Sequence, residues 1–82
     1  MRVYHLIHLV NNMEEVLING LYQHFKGGIY KVIAIAKHSE TLEEMVVYQS
    51  QKDNSIWVRP KSMWNEQVLY QDKLVNRFSK ID

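Results

Sequence analysis

The sequence of 82 residues contains no cysteine. Disulfide staples, thiolate metal sites and thiol nucleophiles are excluded together, and a reducing, cytoplasmic setting fits. Neither sign of charge dominates: ten Lys and Arg are interleaved with nine Asp and Glu, for a formal net charge of +1. That balance argues against steering onto nucleic acid by a broadly basic surface and leaves room only for a local patch. No stretch approaches the run of about 20 apolar residues that spans a bilayer, so no membrane partner is expected. The opening "MRVYHLIHLV" is broken by His5 and His8 and has no small-residue cleavage site, so no signal peptide is expected. Glycine is scarce, at three residues. Lys26-Gly27-Gly28 precedes a strand-like run instead of opening a helix, so it reads as a turn or bulge and not as a phosphate loop. Internal repeats and low-complexity linkers are absent, and a chain of this length makes one domain, residues 1–82.

Two textures divide that domain into an N-terminal extension, residues 1–19, and a β-rich part, residues 20–82. In the extension Val3, Leu6, Ile7, Val10, Met13 and Leu17 fit one helical stripe. Asn12 with Glu15 three residues on forms a capping box, Glu14 and Glu15 suit a helix N-terminus, and Asn19-Gly20 is a good stop. A helix from about Asn12 is expected, while residues 2–10 fit strand or helix. The second texture is a series of short β-runs. "GGIYKVIAIAK" places Tyr30, Val32, Ala34 and Ala36 on one apolar face, tapering as a tightly curved sheet requires. "MVVYQS" and "SIWVR" follow, separated by the turn "QKDNS" and ended by Pro60. "QVLY" and "KLVNRF" form a last hairpin around Gln71-Asp72. Short strands with brief turns in a small chain predict a barrel or curled sheet.

"YQHFKGGIYKV", "AKHSETLEEMVVY", "WVRPKSMW" and the closing "RF" occur in an order and spacing that resembles domain-of-unknown-function family 1653, a set of small bacterial proteins. The resemblance runs from about Tyr22 to Ile81, and His38-Ser39-Glu40-Thr41 and Trp57-Val58-Arg59-Pro60 are its most specific parts. It implies a mainly β fold, a small SH3-like β-barrel, here carrying the N-terminal helical segment. It implies no activity, substrate or catalytic residue. The chain departs from the pattern at Trp64, where Phe is frequent, at Gln71-Asp72, where Asp-Gly is common, and at Asn76, where proline is frequent.

Two stretches are candidate ligand sites. His38, Ser39, Glu40 and Thr41 juxtapose an imidazole, a hydroxyl and a carboxylate. A triad needs the imidazole between the other two groups and a separate oxyanion hole, and no nucleophile-elbow pattern is present. The loop therefore reads first as a hairpin turn fixed by Ser39 and Thr41, with ligand contact as its second use. In "IWVRP", alternation puts Trp57 and Arg59 on one face. With Ile56 and Val58 pointing into the core, the indole and guanidinium would be displayed together, a pair suited to carboxylates, phosphates, bases or proline-rich peptides. The plain alternative packs Trp57 under the N-terminal helix and pairs Arg59 with a nearby carboxylate. Trp64 joins the candidate surface, and Tyr22, Phe25, Tyr30, Tyr48 and Phe78 add aromatic area whose default use is packing. His5 and His8, three apart, lack a third ligand at a known spacing, so neither a metal site nor a cofactor is expected.

The first functional expectation is a non-catalytic binding module for a peptide, a nucleic-acid segment or a small anionic ligand. The alternative is a small hydrolase using the His38-Ser39-Glu40 loop. Residues 1–19 would cover the barrel or form a homodimer with a second copy.

Overall fold

The computed structural model describes residues 15–82. Its elements in chain order are β1 (Leu21–His24), β2 (Ile29–Lys37), β3 (Glu44–Ser50), β4 (Ile56–Pro60), α1 (Lys61–Trp64), β5 (Gln67–Tyr70), β6 (Lys73–Asn76) and β7 (Phe78–Lys80). The fold is mainly β, as expected. Five strands form one antiparallel sheet in the order β4-β3-β2-β1-β7, and β5 pairs with β6 in a separate hairpin. The last strand, β7, thus closes beside the first, with Tyr22 opposite Lys80 and His24 opposite Phe78.

The core lies on one face of this sheet. Val16, Tyr22, Val32, Val46, Tyr48, Trp64 and Phe78 are buried there, with Tyr30 and Ile35 packed against them. Five of these nine are aromatic, so rings supply most of the apolar mass of a small domain. Trp64 reaches the core from the single turn α1. Pro60, at φ −55° and ψ 137°, turns the chain out of β4 and starts that turn.

The face expected for β2 holds only in its first half. Val32 lies opposite Tyr48, but Ala34 lies opposite Val47, so Ile33 is an extra residue, a β-bulge. The bulge reverses the phase of the alternation. Ile35 pairs with Val46 and faces the core, while Ala34 and Ala36 turn to the outer face. The physical reason is volume: an isoleucine fills the space against Val46 that an alanine would leave as a void.

The helix expected from Asn12 begins outside the described residues, and so do His5 and His8. Within Glu15–Gly20 the chain is not helical. Tertiary bonds claim its backbone instead: Leu17 N–H donates to the Tyr22 hydroxyl at 3.0 Å, and Asn19 N–H to the Val32 carbonyl at 2.8 Å. The stop signal at Asn19 was sound in kind, since Asn19 takes a left-handed φ of 72°. The turns behave as their residues dictate. Asn54 has φ 63° in the loop joining β3 and β4, where Asp53 accepts from both the N–H and the hydroxyl of Ser55. Gln71 and Asp72, at φ 51° and 65°, make a two-residue hairpin turn of the primed type.

Candidate functional site

Strand β4 decides where the candidate residues point. Arg59 lies opposite Val46 and Trp57 opposite Tyr48. Cross-strand partners share a face, and Val46 and Tyr48 are core residues, so Trp57 and Arg59 lie on the core side of the sheet. Ile56 and Val58 take the outer face. The alternation is as expected and its polarity is reversed. Because β4 is an edge strand, Trp57 stays more than half exposed despite facing the core side. Its indole N–H donates to the Ser55 hydroxyl at 2.8 Å, which holds the ring in place.

Arg59 is half-buried and fixed from two sides. Its Nε donates to the Tyr48 hydroxyl at 3.4 Å, and its guanidinium carbon sits 5.8 Å from the centre of the Phe78 ring. Among the described residues it forms no ion pair; the carboxylates of Glu44, Glu66 and Asp82 pair with Lys61, Arg77 and Lys80.

The same face continues to β1. The His24 ring meets Phe78 edge-on at 5.0 Å and leans on Phe25 at 4.4 Å, and Phe25 meets Tyr70 of the hairpin at 5.1 Å. His24, Phe25 and Tyr70 line one wall of an open cleft of about 320 Å³ whose other lining residues include Gln23, Val75 and Asn76. Burial, then the positive charges of Arg59, Arg77 and Lys26, hold the His24 imidazole below its usual value of 6.5. His24 Nδ1 accepts from Lys26 N–H at 3.1 Å, which fixes the turn after β1; Gly27, at φ 110°, completes that turn. His24, Phe25 and Tyr70 were not singled out as a group in the sequence. The signal available was a His-Phe pair directly before a Lys-Gly-Gly turn.

The loop His38–Thr41 sits elsewhere. It joins β2 to β3 beyond the Lys37–Glu44 pair, whereas Trp57 lies opposite Tyr48. Five residues of strand separate Glu43 from Tyr48, roughly 17 Å. The loop and Trp57 are not brought together. Within the loop, His38 Nδ1 accepts from the backbone N–H of Glu40 at 3.1 Å and of Thr41 at 3.4 Å, and Thr41 Oγ1 accepts from Glu43 N–H at 3.2 Å. An Nδ1 lone pair used this way shapes a turn. Among the described residues His38 makes no hydrogen bond to the Ser39 hydroxyl or the Glu40 carboxylate, and both of those residues are exposed. Trp64 is fully buried and presents nothing to a ligand. Of the seven candidates, Trp57 and Arg59 stand together on the aromatic face, and the four loop residues stand apart.

The comparisons add a family. The family described as "Protein of unknown function (DUF1653)" matches residues 20–80. The chain belongs to the DUF1653 family. A solved structure, the crystal structure of a DUF1653 protein from Bordetella bronchiseptica, is similar at 29% sequence identity and a TM-score of 0.71. The similarity covers 79% of this chain and 87% of that one. No curated protein matches. The DUF1653 match begins at the Gly20 turn and takes in the whole sheet, so the strands that carry Trp57, Arg59 and His24 are family structure. Among the described residues no helix is long and apolar enough to cross a membrane, and no three His, Asp or Glu side chains are grouped to hold a metal.

Proposed function

We propose that this DUF1653 chain is a non-catalytic binding module that takes an anionic ligand carrying a planar ring, as in a nucleotide or a short single-stranded segment. Arg59 carries the reading. It is immobilised by Tyr48 and Phe78, lacks an acidic partner among the described residues, and stands two residues from a half-exposed indole. The guanidinium would bind the anion and Trp57 would stack on the ring. Lys26 near His24 would extend the positive field. A net charge of only +1 favours a small ligand over a duplex. The loop His38–Thr41 enters this reading as scaffold. The curled five-stranded sheet with a hairpin at one end supports describing the module as SH3-like.

The test is a thermal-shift and tryptophan-fluorescence titration with mononucleotides and the matching nucleosides. Mononucleotides raise the melting temperature and quench Trp57; nucleosides, lacking the anion, bind at least tenfold more weakly. Arg59→Ala abolishes the difference between the two and keeps a cooperative melt. If nucleotides and nucleosides both leave melting and fluorescence unchanged, the assignment is wrong.

A further inference from the structure

Among the described residues no strand pairs with the outer edge of β4, which makes it the least protected part of the main sheet. Ile56, Trp57 and Val58 are 57%, 55% and 58% exposed in succession. Edge strands are ordinarily blunted by charge, bulges or covering elements. Along β4 the register with β3 is regular, and no charge occurs before Arg59, whose guanidinium is drawn inward to Tyr48. Among the described residues only Pro60, at the end of the strand, acts as a guard. The opposite edge of the sheet, β7, is short and its tail is polar, with Lys80 paired to Asp82.

The hydrogen-bond phase of this edge follows from the turn that precedes it. Ser50 N–H donates to the Ser55 carbonyl at 2.8 Å. Bonded and non-bonded pairs alternate along an antiparallel ladder. Tyr48–Trp57 and Val46–Arg59 are therefore bonded pairs, and the backbone N–H and C=O of Ile56 and Val58 point to the open edge. Pro60 falls at a position whose N–H would also point outward, so its missing donor costs the β3–β4 ladder nothing.

We infer that β4 is an association edge for a second copy of this chain, paired antiparallel about a two-fold axis through Val58. Val58 is the midpoint of Ile56–Pro60, so this axis overlaps the whole strand. Val58 N–H donates to the carbonyl of the partner's Val58, and the partner's Val58 N–H donates back to the Val58 carbonyl. Ile56 N–H meets the partner's Pro60 carbonyl, the one group that proline retains. On the outer face Ile56 and Val58 cover apolar area that is otherwise wet. On the core side Trp57 falls opposite the partner's Arg59 in a non-bonded pair, where side chains come closest, with Cα atoms about 4.5 Å apart. Each copy then supplies what the other leaves open, an indole for an arginine that has no acidic partner among the described residues, twice. The two sheets become one of ten strands, and the two aromatic faces become continuous. This association uses the backbone edge of β4 and holds whether or not the ligand reading does. The contact is small next to the roughly 1,200–2,000 Å² of stable complexes, so it is reversible and concentration-dependent.

Sedimentation of the full chain over a concentration series tests this. The weight-average mass rises from monomer toward dimer and no further. Val58→Lys places two like charges at the axis; it stays monomeric at every concentration and melts like the dilute wild type. Because the chain has no cysteine, Val58→Cys reports the register directly. It oxidises to a covalent dimer in high yield, since opposed bonded residues lie about 5.5 Å apart, within disulfide range. Leu69→Cys, on the exposed hairpin, does so at least tenfold more slowly. A wild-type chain that remains monomeric throughout overturns the inference, even if the same edge takes up an unrelated extended peptide. So does equal crosslinking of the two cysteine variants.

Discussion

Trp64 lies flat on Phe78, ring centroids 3.7 Å apart and planes 1° from parallel. Tyr22 and Tyr48 meet the same indole edge-on at 5.3 and 5.0 Å. One residue from a four-residue helix thus ties β1, β3 and β7 together. Trp64→Ala leaves a cavity at this junction and removes about 3–5 kcal/mol. That is comparable to the whole stability of a chain this size, so urea denaturation should show no folded baseline. Trp64→Phe behaves differently. The buried indole Nε1 has no hydrogen-bond partner among the described residues, which is itself a cost of about 1–3 kcal/mol that phenylalanine relieves. The smaller ring loses packing but regains that term, so the variant stays folded, within about 1.5 kcal/mol of wild type.

The bulge at Ile33 makes a prediction that simple alternation would reverse. Ile35→Ala destabilises by about 2 kcal/mol, at the lower end for such truncations because Ile35 is only partly buried. Ala36→Ser, on the exposed outer face, changes stability by less than about 0.5 kcal/mol. Chemical denaturation of the two variants measures both. A costly Ala36→Ser beside a silent Ile35→Ala would place the bulge wrongly.

His24 gives stability a pH dependence. Its folded pKa lies below 6.5, chiefly through burial, then through Arg59, Arg77 and Lys26. In the window between that depressed value and 6.5 the unfolded chain binds more protons than the folded one, so stability rises with pH. The contribution is fully present above 6.5 and is lost as pH falls toward the folded pKa. The Nδ1 that accepts from Lys26 is also the atom that a proton would occupy. Melting temperature should fall on acidification from pH 7 to 5, and His24→Asn should flatten the slope. An unchanged slope in that variant would assign the effect to other groups.

Leu42 and Asp72 are two of the five non-glycine residues, among those described, whose backbone lies in the left-handed region that favours glycine. Leu42 has φ 65° at the β2–β3 turn, where its side chain is mostly solvated. Asp72 has φ 65° at the second position of its hairpin turn. Leu42→Gly and Asp72→Gly each relieve left-handed strain and lose little packing. Each should raise stability by roughly 0.5–1 kcal/mol, read as a higher denaturant midpoint at unchanged slope.

Periodicity revealed the strands and turns of this chain but not which side of each strand is inside. For β4 the pattern Ile56-Trp57-Val58-Arg59 offers two faces, and hydropathy favours burying Ile56 and Val58. The sheet does the opposite, because Tyr48 and Phe78 offer Arg59 a phenol and a ring on the core side. For β2 the alternation predicts one phase throughout, and a bulge carries no residue signature in Val32-Ile33-Ala34. Trp64 looked displayable because the single turn that buries it is too short to show a helical period. At Glu15–Gly20 the helix signals were genuine but local, and the Tyr22 hydroxyl and Val32 carbonyl outcompete them. The His38 turn was legible, since an imidazole followed by Ser, Glu and Thr is rich in groups that bond a nearby backbone.

The strand order has a kinetic corollary. Among the described strands β1 finds its second neighbour in Phe78–Lys80, so a nascent polypeptide emerging from the ribosome cannot complete this sheet until synthesis has passed residue 80. Acquisition of structure is then a single late event dominated by long-range pairing, slower than for a helical bundle of equal size. Products that stop short of Phe78 would leave Trp64 and Tyr48 without their ring partner, and proteases would clear them faster.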